Sequence, residues 1–236
     1  MTTTTMRAVR FERYGGPEEL KVVEVPRPHA TTGRVVVDVV AAGINPGEAS
    51  IRKGLLHDRW PSSFPEGEGS DFAGVVAELG EGVTSVRVGD EVIGWSDERS
   101  SHAEAVSVPA NQLVPKPAGV AWEVAGSLYV AGVTAWAVVR SVGVAAGDVV
   151  AVSAAAGGVG SITVQLARRA GADVIGIAGD GNAAWLKSVG VTPVSYGDGL
   201  ADRLRAAAPN GIDAFIDCFG GGYVELAVSL GVATDR

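Results

Sequence analysis

The sequence holds a single cysteine, Cys218, among its 236 residues. One thiol excludes an intramolecular disulfide and any cysteine-rich zinc site, and it fits a protein of the reducing cytoplasm. Charged residues are also scarce, at 19%, and the acidic ones outnumber the basic ones to give a formal net charge of −8. Because proteins bind the phosphate backbone through clustered lysines and arginines, we expect no nucleic-acid partner.

One stretch without any charge reaches the length of a membrane span, the 19 residues from Val149 to Ala167. Three glycines, Gly157, Gly158 and Gly160, lie near its centre. A strand, a glycine-rich turn and a helix, all buried between the layers of a domain, explain this composition better than a membrane helix does. We therefore expect no membrane span and a cytoplasmic protein.

Short runs of β-branched residues, separated by glycine and proline turns, fill the first half of the chain. Their regular spacing predicts a β-barrel or a sandwich-like unit. The predicted strands are Met6–Phe11, Leu20–Val25, Arg34–Ala42, Gly74–Leu79, Glu91–Gly94 and Ala103–Val108. An alanine-rich segment from Trp122 to Val142 follows, and we predict that it forms one helix or two short ones.

Strands alternate with helices after Gly147-Asp148. The predicted strands are Val149–Ser153, Asp173–Ile177, Thr192–Tyr196 and Ala214–Asp217, and the predicted helices are Gly158–Ala170, Asn182–Val189, Leu200–Ala207 and Gly222–Leu230. This alternation is typical of βαβ units on a parallel sheet. We predict a first domain over residues 1–121 and an α/β domain over residues 122–236. A complete doubly wound dinucleotide fold has six strands, so we expect the sheet to be incomplete at the C-terminal end of this sequence.

A glycine-rich turn connects the first of these strands to its helix. In dinucleotide-binding domains such a turn lets the pyrophosphate approach the backbone, and the first N–H groups of the helix hold it. Ala155 replaces the first glycine of the usual G-x-G-x-x-G fingerprint. We assign the turn to phosphate binding, through Ala156, Gly157, Gly158, Val159 and Gly160. The alternative is a glycine-rich turn that only packs tightly.

An acidic residue after the second strand of such a domain usually binds the ribose hydroxyls of the adenosine. Asp180 lies at the expected interval, 20 residues beyond Gly160. We assign Gly179, Asp180 and Asn182 to the cofactor site. The alternative for Asp180, of equal weight, is a turn residue beside Gly181.

Four segments, of which the last contains the glycine-rich turn, follow one another along the chain: AAGINPGEASIRKG (41–54), SDFAGVVAELGEGVTSVRVGDEV (70–92), AGVTAW (131–136) and AAAGGVGSITVQLARRAGADVIG (154–176). Together they resemble the medium-chain dehydrogenase/reductase superfamily, and most closely its zinc-independent quinone oxidoreductase branch, which includes zeta-crystallin. The resemblance implies a GroES-like β-barrel catalytic domain followed by a Rossmann domain. It also implies a homodimeric enzyme that passes a hydride from NADPH to a quinone, an enone or an alkenal.

The same resemblance assigns individual site residues. Asn45 matches an asparagine beside the nicotinamide, where its amide would polarise a substrate carbonyl; the alternative is a turn residue before Pro46. Thr134 matches a threonine near the nicotinamide, and Tyr196 matches a tyrosine near the adenosine 2′-phosphate. Phe219 is assigned to the same cofactor site. Zinc-dependent relatives carry a cysteine ligand where this chain has Asn45, so we predict no metal.

Two further points concern the predicted function: the choice of cofactor, and the possibility that the protein is not an enzyme. The serine and arginine that usually bind the 2′-phosphate are replaced by Gly179 and Gly181, which weakens the implied preference for NADPH without reversing it. A non-catalytic NAD(P)H-binding structural or sensor protein of the same fold is the alternative function.

His102-Ala-Glu104 imitates the H-x-E motif of zinc deaminases, but no P-C-x-x-C follows, so we interpret it as a surface turn.

Overall fold

The computed structural model describes residues 4–236, which form two compact units that divide between Val130 and Ala131. The predicted first domain is therefore described from residue 4 onward. Its predicted end at residue 121 stays a prediction. Among the described residues, no helix is long and apolar enough to cross a bilayer.

Two antiparallel sheets build the first unit. In chain order its strands are β1 (Thr5–Phe11), β2 (Lys21–Pro26), β3 (Arg34–Ala42), β4 (Glu66–Gly67), β5 (Asp71–Leu79), β6 (Glu91–Trp95), β7 (Ala105–Pro109) and β8 (Leu113–Pro115). Five of them pair in the order β7-β3-β5-β6-β8, and three pair in the order β2-β1-β4. All six predicted strands are present. β4 and β8 escape prediction because two or three residues are too few to show an alternating pattern.

The main core of the first unit lies on one face of the five-stranded sheet. Val35 and Val37 of β3 share a buried cluster with Phe72 and Val76 of β5, and each is at most 1% exposed. Val36, which lies between the first two, is buried in a different cluster. This alternation follows from the period of a strand, in which successive side chains point to opposite faces.

Three helices accompany these sheets: α1 (Pro46–Arg52), α2 (Trp122–Gly126) and α3 (Leu128–Ser141), of which α3 crosses the division between the units. The prediction allowed two short helices after residue 122, and two helices are present. α2 ends at Gly126, where an added Cβ would lie 2.6 Å from the carbonyl oxygen of Ala41. Only glycine permits this close approach of helix and strand.

A four-stranded parallel sheet flanked by helices builds the second unit. In chain order its elements are β9 (Val149–Val152), α4 (Gly158–Arg169), β10 (Asp173–Ala178), α5 (Ala183–Ser188), β11 (Thr192–Ser195), α6 (Leu200–Ala207), β12 (Ala214–Ile216) and α7 (Tyr223–Ser229). The strand order is β11-β10-β9-β12. The predicted alternation of strands and helices is confirmed, and no predicted end differs by more than one residue.

Both faces of the parallel sheet are buried. Val150 and Val152 of β9 share one cluster with Val164 of α4, whereas Ala151 belongs to the other cluster together with Leu204 of α6. Burial on both faces explains why β9 is an uninterrupted apolar run.

The order of the strands defines where a ligand site is expected. The chain runs from β9 to β10 and β11 on one side, and it then returns as β12 on the other side of β9. β9 and β12 therefore border a topological switch point. Open α/β sheets bind their ligands at such a point, beyond the carboxyl ends of the strands.

Candidate active site

A cavity of about 470 Å³ lies at this switch point. Its wall is formed by the ends of β9 to β12 and the segments that follow them: Ala154, Ala156, Gly157, Ile177, Ala178, Gly179, Asn182, Tyr196, Phe219 and Tyr223. Six predicted cofactor residues are among them: Ala156, Gly157, Gly179, Asn182, Tyr196 and Phe219. None of the lining side chains carries a formal charge, so the wall is apolar with a few amide and phenol groups. The volume falls within the range of small-molecule sites.

The turn between β9 and α4 holds its backbone in a tight loop. Ala154 has a φ of 44°, in the left-handed region that an L-residue rarely adopts. The N–H of Gly157 donates to the carbonyl of Ala154 at 2.8 Å. An added Cβ on Gly160 would lie 2.1 Å from the same carbonyl oxygen, whereas one on Gly157 would meet no atom closer than 3.2 Å. Gly160 is thus required for the packing of the helix on this turn, whereas a Cβ on Gly157 would make a tight but less severe contact with the same oxygen.

The N-terminus of α4 offers a site for an anion. Its first residues are Gly158, Val159 and Gly160, and the first N–H groups of a helix have no partner earlier in the helix. No acidic residue lies in the first turn. The free N–H groups and the helix dipole together favour a negative group such as a phosphate. These three predicted residues adjoin the wall residue Gly157 without belonging to the wall themselves.

Asp180, the predicted ribose-binding residue, follows β10 at the start of a short 3₁₀ turn, Asp180–Asn182. The Ser195 hydroxyl donates a hydrogen bond to the Asp180 carboxylate. Asp180 lies between the wall residues Gly179 and Asn182 in the sequence but is not itself in the wall. It therefore has a structural partner on β11 and lies in a turn, as the alternative interpretation expects, while its binding of a ribose stays a prediction.

Tyr196 is positioned by the backbone around it. The guanidinium group of Arg203 donates to the carbonyls of Ser195 and Tyr196, at 2.9 and 3.3 Å from Nη2. The Tyr196 hydroxyl borders the end of β10, because an added Cβ on Gly179 would lie 3.4 Å from it. Arg203 thus fixes the backbone conformation at Tyr196 through these hydrogen bonds.

Asp217 organises the segment after β12. Its Oδ1 accepts hydrogen bonds from the N–H groups of Phe219 (2.9 Å) and Gly220 (3.0 Å), and the Ser153 hydroxyl donates to the same oxygen. Partial burial acts to raise the pKa of Asp217, but these hydrogen bonds outweigh it and lower the pKa below its ordinary value. The Phe219 ring packs edge-on against Tyr223, with ring centroids 5.9 Å apart.

Four wall residues were missed by sequence reasoning: Ala154, Ile177, Ala178 and Tyr223. A signal was available for each of them. Ala154, Ile177 and Ala178 lie at the carboxyl ends of predicted parallel strands, where α/β sheets bind ligands, and Tyr223 lies at the start of the last predicted helix.

A second group of polar residues surrounds α1 in the first unit. Asn45 is the N-cap of this helix, Pro46 takes the first position and Glu48 the third. The buried carboxylate of Glu48 accepts hydrogen bonds from Asn45 N (2.9 Å), Asn45 Nδ2 (3.2 Å) and Ser70 N (2.9 Å). Proline at the first position and glutamate at the third are signals of a helix start, so the alternative interpretation of Asn45, a turn residue before Pro46, is replaced by a helix N-cap.

Asp71, the first residue of β5, lies close to this group and is 1% exposed. Its two carboxyl oxygens lie 3.3 and 3.2 Å from Val130 N, which donates to them. Burial raises the pKa of Asp71 to about 6, while hydrogen bonds from the Val130 N–H and the Asn45 side chain act in the opposite direction. The negative charge of Glu48 adds to the rise. Sequence reasoning missed Asp71.

His102 corrects one prediction. The residue is half-buried, and its Nε2 donates to the carbonyl of Gly43 at 2.7 Å. The next residue, Ala103, pairs with Ala8 in an isolated β-bridge. The interpretation of His102-Ala-Glu104 as a surface turn is therefore wrong for His102, because its Nε2 is held by the carbonyl of Gly43, whereas Glu104 is exposed as expected.

Glu48, Glu68 and His102 offer ligand atoms that all lie within 4.8 Å of one another, as a metal site would require. Each already has protein partners: Glu48 accepts three N–H groups, Glu68 pairs with the guanidinium group of Arg52, and His102 Nε2 donates to a carbonyl. The geometry suits a hydrogen-bonded network. The predicted absence of a metal stays a prediction.

Thr134 lies within α3, and its side chain is exposed. It belongs to the second unit, whereas Asn45 belongs to the first. The predicted roles of both residues beside the nicotinamide stay predictions.

Two known families match the chain. Residues 31–118 match the alcohol dehydrogenase GroES-like domain, which here comprises β3 to β8. Residues 158–231 match the family described as zinc-binding dehydrogenase, which here comprises α4 to α7.

Individual proteins extend these matches. The quinone oxidoreductase of Rattus norvegicus is 38% identical over 178 residues, which are 74% of this chain and 53% of that protein. A chloroplast envelope quinone oxidoreductase homolog of Arabidopsis thaliana is 31% identical over 231 residues, which are 94% of this chain and 70% of that protein. The crystal structure of Escherichia coli quinone oxidoreductase complexed with NADPH superposes with a TM-score of 0.86 at 27% identity. The superposition covers 95% of this chain and 69% of that one.

Proposed function

The chain belongs to the quinone oxidoreductase branch of the medium-chain dehydrogenase/reductase superfamily, and on this basis we propose that it is an NAD(P)H-dependent oxidoreductase acting on a quinone, an enone or an alkenal. The predicted family is confirmed, and so is the predicted fold class, a GroES-like β domain followed by a Rossmann-type parallel sheet. The chain spans about half the length of the first curated relatives it matches, at 53% of the rat protein. Activity, substrate and partners therefore belong to the proposal.

The cavity at the switch point is the observation that carries this function. Ala156, Gly157 and Gly179 give it a wall with little side-chain bulk, so a ligand can approach the backbone closely. The N-terminus of α4 adjoins it and favours phosphate. A dinucleotide needs both features, one for its pyrophosphate and one for its flat rings, and the residues present fit such a cofactor.

The chemistry divides between the cofactor and the chain. A bound nicotinamide supplies the hydride. The first N–H groups of α4 would hold the pyrophosphate, and Phe219 and Tyr223 would keep water from the cavity. The Asn45 amide would polarise the substrate carbonyl, so that catalysis rests on positioning and on a hydrogen bond to the developing negative charge.

Catalysis without a metal is part of the proposal. Asn45 takes the place of a zinc-ligating cysteine, and an amide is a poor zinc ligand beside thiolate and imidazole. In the network of Glu48, Glu68 and His102, both oxygens of Glu48, one oxygen of Glu68 and Nε2 of His102 already have protein partners, which supports the same view, although Glu68 Oε2 is buried without a hydrogen-bond partner.

We propose NADPH as the cofactor. The family resemblance supports this choice, and so does the place of Tyr196 in the cavity wall. Two features act against it: Gly179 and Gly181 offer no side-chain donor for a 2′-phosphate, and the carboxylate of Asp180 would repel one. We also propose that the protein is cytoplasmic and that it forms a homodimer. Light scattering tests the homodimer directly.

A titration combined with a substrate panel tests the function. Binding of NADPH and of NADH is followed by fluorescence, and turnover is measured with quinones, enones and alkenals, with and without EDTA. We expect micromolar binding, turnover with at least one substrate class, and no effect of the chelator. Binding without turnover across the whole panel would favour the structural or sensor alternative, and activity that EDTA abolishes would contradict metal-free catalysis.

A further inference from the structure

The carboxylate of Glu48 makes more hydrogen bonds than the start of α1 requires. In a capping box, the glutamate at the third helical position accepts the backbone N–H of the N-cap residue. Glu48 Oε2 makes this bond with Asn45 N at 2.9 Å. The other oxygen, Oε1, accepts the side-chain Nδ2 of Asn45 at 3.2 Å and the backbone N–H of Ser70 at 2.9 Å. Glu48 therefore holds Asn45 by its backbone and by its side chain.

The chemistry of Glu48 determines which end of the Asn45 amide faces it. A carboxylate can only accept hydrogen bonds, whereas a primary amide has two N–H donors at one end and a carbonyl oxygen at the other. A reversed amide would place its Oδ1 against Glu48 Oε1, and two acceptors would then face each other. The NH₂ group is therefore turned toward Glu48. One of its N–H donors bonds to Oε1, and Glu48 does not use the other.

The buried charge of Glu48 makes this orientation costly to change. Glu48 is 5% exposed, and Arg52, one turn further along α1, pairs with Glu68 instead. A buried carboxylate is stable only if hydrogen-bond donors replace the water it has lost. Three N–H groups do so, and Asn45 provides two of them. Rotation of the amide away from Glu48 would break a hydrogen bond to a charged acceptor, which is stronger than one between neutral groups.

We propose that Glu48 is the positioning residue of the Asn45 amide. Asn45 is half-buried between the exposed residues Ile44 and Pro46, so a ligand can reach the amide, whereas Glu48 behind it is closed to solvent. Glu48 fixes the amide with one N–H turned inward and leaves the second N–H to donate to a substrate carbonyl. The catalytic consequence rests on the proposed function of Asn45, whereas the contact itself can be tested without turnover.

The side-chain amide region of a ¹⁵N NMR spectrum tests the orientation directly. The chain contains four asparagines and two glutamines, Asn45, Asn111, Asn182, Asn210, Gln112 and Gln165, so six pairs of signals are expected. Since a carboxylate binds one of the two Asn45 protons, their chemical shifts should differ more than those in the other three asparagine pairs. Gln112, whose Nε2 donates to the Asp97 carboxylate, provides the positive control.

A variant connects this separation of shifts to Glu48. In Glu48→Gln the separation within the Asn45 pair should fall to that of the other asparagines, while the Gln112 pair should not change. The new glutamine adds a seventh pair of signals. Asn45→Ala identifies the Asn45 pair in the wild type, and the double variant Asn45→Ala/Glu48→Gln identifies it in the presence of the new glutamine.

A double-mutant cycle tests the catalytic consequence and separates positioning from folding. Glu48→Gln should lower kcat about tenfold, the equivalent in rate of one hydrogen bond to a charged group, with KM for NADPH unchanged. In the Asn45→Ala background the same change should lower kcat by less than about twofold, because no amide is left to position. A residue that only stabilises the fold would lower kcat equally in both backgrounds.

Glu66→Gln is the matched control for this cycle. Glu66 is also a buried glutamate of the first unit, but it pairs with Arg99 and accepts the N–H of Ser63 at 3.1 Å. Its change to glutamine should leave kcat at the wild-type value.

Two results would overturn the proposal. One is a wild-type Asn45 pair with the same separation of shifts as the other asparagines, and the other is a loss of kcat in Glu48→Gln that is equal with and without Asn45. If the NMR spectra show the contact but no substrate of the panel is turned over, the positioning of Asn45 stands and the proposed enzymatic function fails.

Discussion

Replacement of Asp71 by asparagine should stabilise the folded chain at alkaline pH, although it removes a residue from the candidate site. Asparagine has nearly the same shape and keeps one oxygen for the Val130 N–H, but it carries no charge. Burial raises the pKa of Asp71 from 3.8 to about 6 in the folded chain. At about 1.4 kcal/mol for each tenfold change in proton affinity, the charged form costs about 3 kcal/mol.

The direction of the pH dependence follows from proton binding in the two states. Between about pH 4 and pH 6 the folded chain keeps the proton on Asp71, whereas the unfolded chain has lost it. The free energy of unfolding of the wild type therefore falls as the pH rises through this window, because the unfolded state binds fewer protons. Asp71→Asn lacks this contribution. After the loss of one acceptor, worth about 1 kcal/mol, the variant should be more stable than the wild type by about 1–2 kcal/mol at pH 8 and no more stable at pH 4.

Urea unfolding at a series of pH values provides the measurement. The difference between wild type and Asp71→Asn is the informative quantity, since all other titrating groups are common to both proteins. Asp38→Asn, which changes an exposed aspartate of the same sheet, should show a nearly constant difference from the wild type. A difference between wild type and Asp71→Asn that does not change between pH 4 and pH 8 would refute the reasoning.

Three further predictions concern the cavity. Gly160→Ala should lower the free energy of unfolding by about 2 kcal/mol or more, measured by urea titration, because its Cβ would lie 2.1 Å from the Ala154 carbonyl oxygen; unchanged stability would contradict the close packing of α4. Gly157→Val should largely retain folding, at some cost in stability because its Cβ would lie 3.2 Å from the Ala154 carbonyl oxygen, but should lose at least tenfold in NADPH affinity, about 1.4 kcal/mol, by fluorescence titration; normal binding would place the pyrophosphate elsewhere. Asp217→Ala frees the N–H groups of Phe219 and Gly220 and should weaken NADPH binding several-fold, at a cost of about 1 kcal/mol; wild-type affinity would show that the anchored Phe219 is not needed.

The parallel sheet could be predicted closely because its signals are local. Val149–Val152 is apolar throughout since both of its faces are buried, and Gly157 marks the turn into α4. Part of the cavity wall, Ala156, Gly157, Gly179 and Asn182, followed from the same logic, because residues at the carboxyl ends of neighbouring strands meet at one edge of the sheet.

The network around Asn45 could not be predicted in the same way. The burial of Asp71 depends on β5 lying beside the end of β3, and its hydrogen bond comes from Val130, far away in the sequence. His102 shows the same difficulty, since its partner Gly43 lies just beyond the end of β3, 59 residues earlier in the chain. Such contacts depend on strand pairing between distant segments, which leaves no periodic signal in the sequence.

Transfer of deuterium from a labelled cofactor tests the central claim most directly. NADPH deuterated at the reactive carbon of the nicotinamide ring is incubated with the purified chain and an enone in the presence of EDTA, and the reduced product is examined by mass spectrometry. The account predicts one deuterium at the β-carbon of the product, where the carbon–deuterium bond does not exchange with water. A product without the label, or a chain that binds NADPH and reduces none of the enones, quinones or alkenals offered, would contradict it.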